Sequence, residues 1–146
     1  MPLQSEIDSV YMGTALLHAR LSKAVRKQVG ACLVTHSCTT LTGYNGTPSG
    51  TDNTCEDSQG KTKSEVLHAE LNCLMKAAKE GVCVTGSTLY VTLSPCMQCS
   101  AMMLQAGIKR IVYLEEYRDL SGIEYLDSYG VAVEKFENFY SNLKGN

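Results

Sequence analysis

The sequence lacks an excess of positive charge, because 13 lysines and arginines face 15 aspartates and glutamates and the net charge is −2. It also lacks any stretch near the roughly 18 consecutive apolar residues that a membrane-spanning helix needs. The first absence argues against general attraction to a nucleic acid polymer, and the second against a membrane protein. With 146 residues, 44% of them hydrophobic, the chain can bury the core of one domain.

The seven cysteines lack the even number and regular spacing of a disulfide framework. In a reducing compartment, clustered cysteines are more often metal ligands or catalytic groups than disulfide partners. The first ten residues, MPLQSEIDSV, show no basic stretch followed by an apolar one, so they do not resemble a secretory signal. We therefore expect a cytoplasmic protein.

Hydrophobic periodicity predicts strands that alternate with helices over the second half of the chain. We therefore expect an α/β fold, a three-layer α/β/α sandwich around a mixed five-stranded sheet that starts with an antiparallel hairpin. One domain over residues 1–146 is expected, with a core over roughly 5–135 and a tail over 137–146. The predicted helices cover about residues 5–24, 68–81, 95–106 (capped by Ser94) and 120–129, and the strands 29–36, 39–44, 87–93, 108–114 and 131–136.

The stretch GYNGTPSG at 43–50 contains Asn-Gly, the strongest short hairpin signal. No second strand follows it, because residues 45–66 are polar and show no alternation of apolar residues. The predicted hairpin turn lies earlier, near Ser37 and Cys38. A structureless segment of this length is usually functional or disordered, and we expect it to leave the sheet at an edge of the site described next.

Two predicted helix starts carry side chains that suit a catalytic metal. Cys96 and Cys99 share one face at a helix N-terminus, where backbone N–H groups and the helix dipole favour thiolates. His68, at the other helix start, would supply a nitrogen ligand and leave the fourth tetrahedral position of zinc for water. Two thiolates cancel the zinc charge and make that water less acidic, so a nearby carboxylate, Glu70, becomes useful as a base.

Each half of this pattern has a simpler interpretation when taken alone. His68-Ala69-Glu70 is a common tripeptide that also fits an ordinary helix start with a solvated glutamate. Cys-x-x-Cys at a helix start also fits a redox pair. A redox motif does not explain the second helix start, and one intervening strand would bring the two helices side by side. The combination therefore favours a metal-dependent enzyme.

These motifs resemble the signature of the zinc-dependent cytidine deaminase superfamily, His-x-Glu followed by Pro-Cys-x-x-Cys. The segments RKQVGACLV, TGYNGTP, LHAELNCL, LYVTLSPCMQC and QAGIKRIVY are similar to the deoxycytidylate deaminase branch in particular, over roughly residues 5–135. The resemblance implies a cytidine deaminase-like fold and hydrolysis of dCMP to dUMP and ammonia, which supplies dUMP for thymidylate synthesis. It also implies that Glu70 carries protons from a metal-activated water to N3 of cytosine and to the leaving amino group.

The resemblance further implies a set of substrate contacts. Arg26, at the predicted basic end of the first helix together with Lys23 and Lys27, matches the family's arginine before the VGA strand and is the expected phosphate ligand. Asn45 matches an asparagine near the sugar, and the Tyr117-Arg118 pair lies where a lid would enter. The implied substrate-binding residues are Ser22, Arg26, Asn45, Ala69, Ser94 and Tyr117.

Family members are typically oligomers, often hexamers, that dCTP with Mg²⁺ activates and dTTP inhibits at a site between subunits. We therefore expect a homo-oligomer with nucleotide effectors, and Mg²⁺ with a triphosphate. For Lys76 and Lys79 a solvated helix face is the simpler interpretation of each residue alone. The residues implied for the effector are Gly43, Tyr44, Asn45, Gly46, Lys76 and Lys79.

Some relatives hold a second, structural zinc with cysteines and histidines in the loop before His-Ala-Glu. Here that loop offers only Cys55 and no histidine, so one Zn²⁺ per chain is expected. A separate site made of Cys32, His36 and Cys38 is disfavoured, because two of these residues lie in a predicted strand and the third in its turn.

Other functions remain open from the residues alone. The enzyme could act on cytidine, cytosine, dCTP or a tRNA adenosine, although the acidic balance argues against a polynucleotide. A nucleoside deaminase would have no need of Arg26. A non-catalytic, zinc-stabilised module is the alternative from another class, and Glu70 argues against it because a structural metal site has no use for an additional carboxylate.

Overall fold

The computed structural model describes residues 1–137, which form four helices and five strands. In chain order these are α1 (Gln4–Ala19), β1 (Gly30–Val34), β2 (Thr40–Tyr44), α2 (Ala69–Glu80), β3 (Thr88–Leu93), α3 (Met97–Ala106), β4 (Arg110–Glu115), α4 (Ser121–Ser128) and β5 (Ala132–Lys135). The strand order is β2-β1-β3-β4-β5, with β1 antiparallel to both neighbours and the other pairs parallel. The predicted mixed sheet and its initial hairpin are confirmed, and the predicted tail, apart from residue 137, lies outside the described residues.

The two faces of the sheet bury two separate apolar clusters. Ala31 and Leu33 of β1 pack in the cluster beneath α2, α3 and α4, whereas Cys32 between them packs with Met12 of α1. This alternation is the period of two that a strand buried on both faces requires. The predicted three-layer α/β/α sandwich is thus confirmed. Within residues 1–137, no helix combines the length and apolar character needed to cross a membrane.

α1 ends at Ala19, so the prediction that it continues to residue 24 is wrong. Ser22 is buried, and its hydroxyl donates a hydrogen bond of 2.7 Å to the backbone carbonyl oxygen of Asn45. The Gln28 side chain donates one of 2.8 Å to the Ser22 carbonyl oxygen. These contacts turn the chain away from the helix axis. The basic residues predicted at the helix end therefore lie in residues 20–29, here called the connecting segment.

α3 begins at Met97 with Cys96 as its N-cap residue, so the predicted cap at Ser94 is wrong. The Ser94 hydroxyl instead accepts a 2.7 Å hydrogen bond from the backbone N–H of Tyr117. The Ser94 N–H donates one of 2.8 Å to the carbonyl oxygen of Glu115. Ser94 therefore continues the pairing of β3 with β4, and the helix starts at the first cysteine.

The face of the sheet under α1 buries a charged network. Asp8 accepts hydrogen bonds of 2.7 and 2.8 Å from the Arg110 guanidinium and one of 2.7 Å from the Tyr90 hydroxyl. Arg110 also pairs with Glu134 of β5. Burial alone would raise the pKa of Asp8, but hydrogen bonds from Arg110, Tyr90 and Gln4 lower it below its usual value. The network joins α1 to β3, β4 and β5.

Candidate active site

Three side chains from two helix starts meet beside the sheet. His68 is the N-cap residue of α2, and Cys96 and Cys99 are the N-cap residue and a first-turn residue of α3. The His68 Nδ1 atom lies 3.7 Å from Cys96 Sγ and 3.3 Å from Cys99 Sγ. The structure therefore brings the three predicted ligands together. Within the described part of the chain they are the one group of three His, Cys, Asp or Glu side chains whose ligand atoms all lie within 4.8 Å of one another.

The spacing of these atoms fits a tetrahedral metal. With zinc bonds of about 2.3 Å to sulfur and 2.0–2.1 Å to nitrogen, neighbouring ligands are about 3.6–3.8 Å apart. The observed nitrogen–sulfur distances of 3.7 and 3.3 Å are close to that range. One histidine and two cysteines leave a fourth position for water or substrate, as in catalytic zinc sites.

The contacts inside the cluster favour a thiolate at Cys96. Hydrogen bonds from Cys99 and His68 lower the pKa of Cys96 to about 4. The hydrogen bond with Cys96 also raises the pKa of His68, and it raises that of Cys99. Because zinc binds cysteine as the thiolate, the cluster holds one ligand in its binding form before a cation arrives.

Glu70 lies in the first turn of α2 and is only 4% exposed. Burial raises the pKa of its carboxyl group to about 7, because an ionised carboxylate is disfavoured away from water. A carboxyl group with a pKa near neutrality can both accept and return a proton under cellular conditions. Glu70 therefore has the acid–base property that a proton carrier needs.

A cavity of roughly 370 Å³ opens next to this cluster, a volume in the range of small-molecule sites. Its wall includes His68 and Cys96 of the cluster, the buried carboxyl group of Glu70 and positively charged side chains. Of the six predicted substrate contacts, Ser22 is absent from the wall. The predicted contacts that line it are Arg26, Asn45, Ala69, Ser94 and Tyr117.

Two arginines contribute positive charge to the cavity wall. Arg26 comes from the connecting segment, and Arg118 follows β4. The Arg118 guanidinium carbon lies 5.4 Å from the centre of the Tyr117 ring, a cation–π contact that restrains both side chains. Lys27 also borders the cavity, but its Nζ pairs with Glu115 at 2.6 Å. The two arginines are therefore the candidate ligands for an anionic group.

Asn45 and Ser22 hold the connecting segment in place. Asn45 Oδ1 accepts a 2.8 Å hydrogen bond from the Val29 N–H, and Nδ2 donates one of 2.8 Å to the Lys27 carbonyl oxygen. The Ser22 hydroxyl accepts from the Ala24 N–H besides donating to the Asn45 backbone. Each polar atom of the Asn45 amide keeps one further hydrogen-bonding position, so its predicted contact with a sugar stays a prediction.

Glu56 is a cavity residue that the sequence analysis missed. Its Oε2 atom accepts backbone hydrogen bonds of 3.1 Å from Val25 and 3.3 Å from Arg26. Glu56 thereby fixes the backbone that carries the candidate phosphate ligand. The polar segment 45–66 has no periodicity that would single it out. The sequence therefore offers no signal that would have identified Glu56.

The GYNG stretch packs the start of α2 against the edge strand β2. A Cβ atom on Gly43 would lie 2.6 Å from the carbonyl oxygen of Ala69, a distance that side chains do not tolerate. Gly46 forms backbone hydrogen bonds of 3.0 and 2.8 Å with Leu67. The Asn-Gly pair is therefore not a hairpin turn, and the stretch sets the position of His68 and Glu70.

The remaining residues implied for an effector lie along the same edge. The Asn72 side chain donates a 2.6 Å hydrogen bond to the Tyr44 carbonyl oxygen. Lys76 donates from Nζ to the carbonyl oxygen of Thr42, and Lys79 is exposed near the end of α2. Because β2 is an edge strand, this surface is open to a ligand or a neighbouring molecule.

Comparisons with known proteins agree with this geometry. A family model described as "Cytidine and deoxycytidylate deaminase zinc-binding region" matches residues 5–115. The crystal structure of a dCMP deaminase from the cyanophage S-TIM5, in complex with dCMP and dUMP, superposes with a TM-score of 0.87 at 46% identity. That alignment covers 92% of this chain and 99% of the phage chain.

Curated relatives carry the same name. The deoxycytidylate deaminase of Mus musculus is 37% identical over 146 residues, an alignment that covers 91% of this chain and 81% of the mouse protein. The deoxycytidylate deaminase of Saccharomyces cerevisiae is 34% identical over 140 residues, covering 88% of this chain. The chain spans only 44% of the length of the yeast protein.

Proposed function

The chain belongs to the cytidine and deoxycytidylate deaminase family, and we propose that it hydrolyses dCMP to dUMP and ammonia. The observation that carries this proposal is the buried Glu70, with a pKa of about 7, beside the His68, Cys96 and Cys99 cluster in a cavity that two arginines border. The proton carrier and the metal ligands suit amine hydrolysis, and the arginines suit a substrate with a phosphate group.

The metal ligands and Glu70 would have different roles in the reaction. His68, Cys96 and Cys99 would hold one zinc ion, whose chemistry when bound would be to make a water molecule more acidic. Glu70 would accept one proton from the attacking water and deliver it to N3, and it would then pass the water's other proton from the oxygen now bonded to C4 to the amino group, which leaves as ammonia. One water is consumed, and its oxygen becomes the C4 carbonyl of dUMP.

The position of Glu70 supports this role. Its place in the first turn of α2, two residues after His68, is close to the candidate ligands, and its burial raises the pKa of the carboxyl group. The Ala69 and Ser94 backbones lie in the cavity wall and would read the edge of the pyrimidine. Asn45, at the end of the connecting segment's hydrogen-bond network, would face the sugar.

The substrate assignment is tested by ammonia release from dCMP, deoxycytidine, cytidine, cytosine and dCTP. We expect dCMP to have the highest kcat/KM, and elemental analysis to find about one zinc per chain. Arg26→Ala should raise KM for dCMP about 10- to 100-fold and leave KM for deoxycytidine unchanged. Lys23→Ala, which removes a cation outside the cavity wall, is the matched control. An equal effect of Arg26→Ala on both substrates would place the phosphate site elsewhere.

Regulation and assembly extend the proposal. Nucleotide effectors, dCTP with Mg²⁺ as activator and dTTP as inhibitor, would bind between subunits of a homo-oligomer such as a hexamer, at the β2 edge beside Tyr44 and Lys76. The open strand edge and the nearby ammonium group support this site. The cytoplasm is the proposed location, since all seven cysteines are unpaired and a reducing compartment keeps them so.

A further inference from the structure

Glu56 places a negative charge in a cavity wall that is otherwise suited to an anion. Arg26 and Arg118 line the same cavity. Neither Glu56 nor Arg26 forms an ion pair with any residue in the described part of the chain. A carboxylate at this place weakens the binding of an anionic ligand, because like charges repel across a few ångströms. Its presence beside the candidate phosphate ligand therefore requires an explanation.

The hydrogen bonds that Glu56 accepts do not explain its charge. Its Oε2 atom accepts from the backbone N–H groups of Val25 and Arg26, at 3.1 and 3.3 Å. A glutamine side chain has a carbonyl oxygen of the same reach and could accept both bonds. The other oxygen of Glu56, Oε1, accepts no hydrogen bond from residues 1–137. Anchoring of the connecting segment therefore does not require an ionised side chain at this position.

A short hairpin holds Glu56 in the cavity wall. On one side of it, the Lys63 N–H donates a 2.8 Å hydrogen bond to the Cys55 carbonyl oxygen. On the other side, the Asp57 N–H donates one of 2.7 Å to the Lys61 carbonyl oxygen. Cys55 is also buried, which fixes the hairpin to the body of the domain. The carboxylate therefore has little freedom to move away from a second negative charge.

We propose that Glu56 restricts the phosphate site to a nucleoside monophosphate, an inference that rests on the proposed hydrolysis of dCMP. Repulsion from one fixed charge grows in proportion to the charge of the ligand, so a nucleoside diphosphate is disfavoured more than a monophosphate. Within residues 1–137, Arg26 and Arg118 can offset this repulsion for the first phosphate group, but Lys27 of the same wall is already paired with Glu115. A second phosphate group would therefore add repulsion without gaining a cation.

The test compares kcat/KM for deoxycytidine, dCMP and dCDP, whose negative charge increases in that order. We use dCDP instead of dCTP because dCTP is a proposed effector. Glu56→Gln keeps an acceptor for the two backbone N–H groups and removes the charge. The ratio of kcat/KM for dCDP to that for dCMP should rise about fivefold or more, and kcat/KM for deoxycytidine should stay unchanged. Glu65→Gln, the same change at an exposed residue outside the cavity wall, should leave the ratio unchanged.

A second variant separates the charge of Glu56 from its hydrogen bonds. Glu56→Ala removes both, so it should raise the same ratio and also raise KM for dCMP, because Arg26 loses its backbone anchor. Thermal unfolding checks that the variants are folded. If Glu56→Gln does not fold, Glu56→Ala decides the matter by the same ratio.

An unchanged ratio in an enzyme that deaminates dCMP would overturn the proposal and leave the proposed function intact. A wild-type protein that does not deaminate dCMP would overturn the proposed function and, with it, this inference. The two failures are therefore distinguishable, because the first is observed only when the wild type is active on dCMP.

Discussion

The two faces of the sheet each bury one carboxyl group, and the two groups have opposite properties. Asp8, in α1, is paired with Arg110 and Tyr90, and its pKa is lowered. Glu70, in α2, is buried and has no arginine or lysine partner among residues 1–137, and its pKa is raised to about 7. A paired carboxylate stabilises the fold but cannot exchange its proton near neutrality, whereas an unpaired one costs stability and can. The difference separates a structural acid from a candidate catalytic acid.

Replacement of Glu70 should give the largest effect. Glu70→Gln removes the proton carrier while keeping the shape of the side chain, so kcat should fall about 10²- to 10⁴-fold with zinc still bound. Ammonia release and elemental analysis check this. Glu124→Gln, at another first-turn glutamate but an exposed one, should leave kcat unchanged. Substantial turnover by Glu70→Gln would remove Glu70 from the proton-carrier role.

Breaking the network on the other face should cost stability instead. Arg110→Met leaves Asp8 buried without its cation, so the free energy of unfolding should fall by about 3–5 kcal/mol. Lys135→Met, which removes an exposed ion pair of 3.8 Å with Glu116, is the matched control. Urea unfolding measures both variants. If Arg110→Met lowered the free energy of unfolding no more than Lys135→Met does, the Arg110 guanidinium would not be stabilising the buried Asp8 carboxylate.

The pH dependence of stability should show the cost of burying Glu70. In the metal-free protein the folded-state pKa of about 7 exceeds the unfolded value, so ionisation destabilises the fold as pH rises from about 4.5 through 7. Metal-free Glu70→Gln should therefore be about 3 kcal/mol more stable than the metal-free wild type at pH 8 and nearly equal to it near pH 4.5. A constant difference across this range would contradict the raised pKa.

Asp8 should give the opposite pH profile. Because its folded-state pKa is lowered, its ionised form stabilises the fold above the unfolded pKa, and this stabilisation is lost as pH falls through the folded value. Asp8→Asn should cost about 1–3 kcal/mol at pH 7 and progressively less below about pH 4. Urea unfolding of the two proteins between pH 3 and 7 provides the comparison. If the destabilisation caused by Asp8→Asn grew as the pH fell, the lowered pKa of Asp8 would be contradicted.

Among these variants, breaking the exposed ion pair Lys27–Glu115 should have the smallest effect on the free energy of unfolding. Its side chains are 52% and 56% exposed, so water screens the attraction between them. Lys27→Met should change the free energy of unfolding by less than about 0.5 kcal/mol. Thermal unfolding measures this value. A loss comparable to that of Arg110→Met would show that the pair holds the connecting segment to β4.

Features that depend on neighbouring residues could be predicted from the sequence, and those that depend on distant residues could not. The start of α2 and the presence of a helix after Cys96 follow from local patterns, and these patterns also supply His68, Glu70 and Cys99. The cap at Ser94 was predicted wrongly because its hydroxyl bonds to Tyr117, 23 residues away. The end of α1 depends likewise on Asn45.

Contacts between residues that are far apart in the sequence could not be predicted from the sequence pattern. Asp8 and Arg110 are 102 residues apart, and neither periodicity nor composition connects them. Glu56 contacts the backbone of Arg26 from a segment without regular structure. In both cases a charged side chain meets a group that only the folded chain brings near, so local pattern analysis has nothing to detect.

The antiparallel pairing of β1 with β3 has a consequence for the order of folding. Ala31 pairs with Val91, so 59 residues separate the paired positions, whereas Val34 of β1 pairs with nearby Thr40 of β2. Long loops close more slowly than short ones, so we expect the hairpin to form before β3 docks. His68 and Glu70 lie inside the long loop, and Cys96 and Cys99 directly follow β3. We therefore expect the candidate catalytic groups to converge only when β3 docks, in the later and slower step of folding.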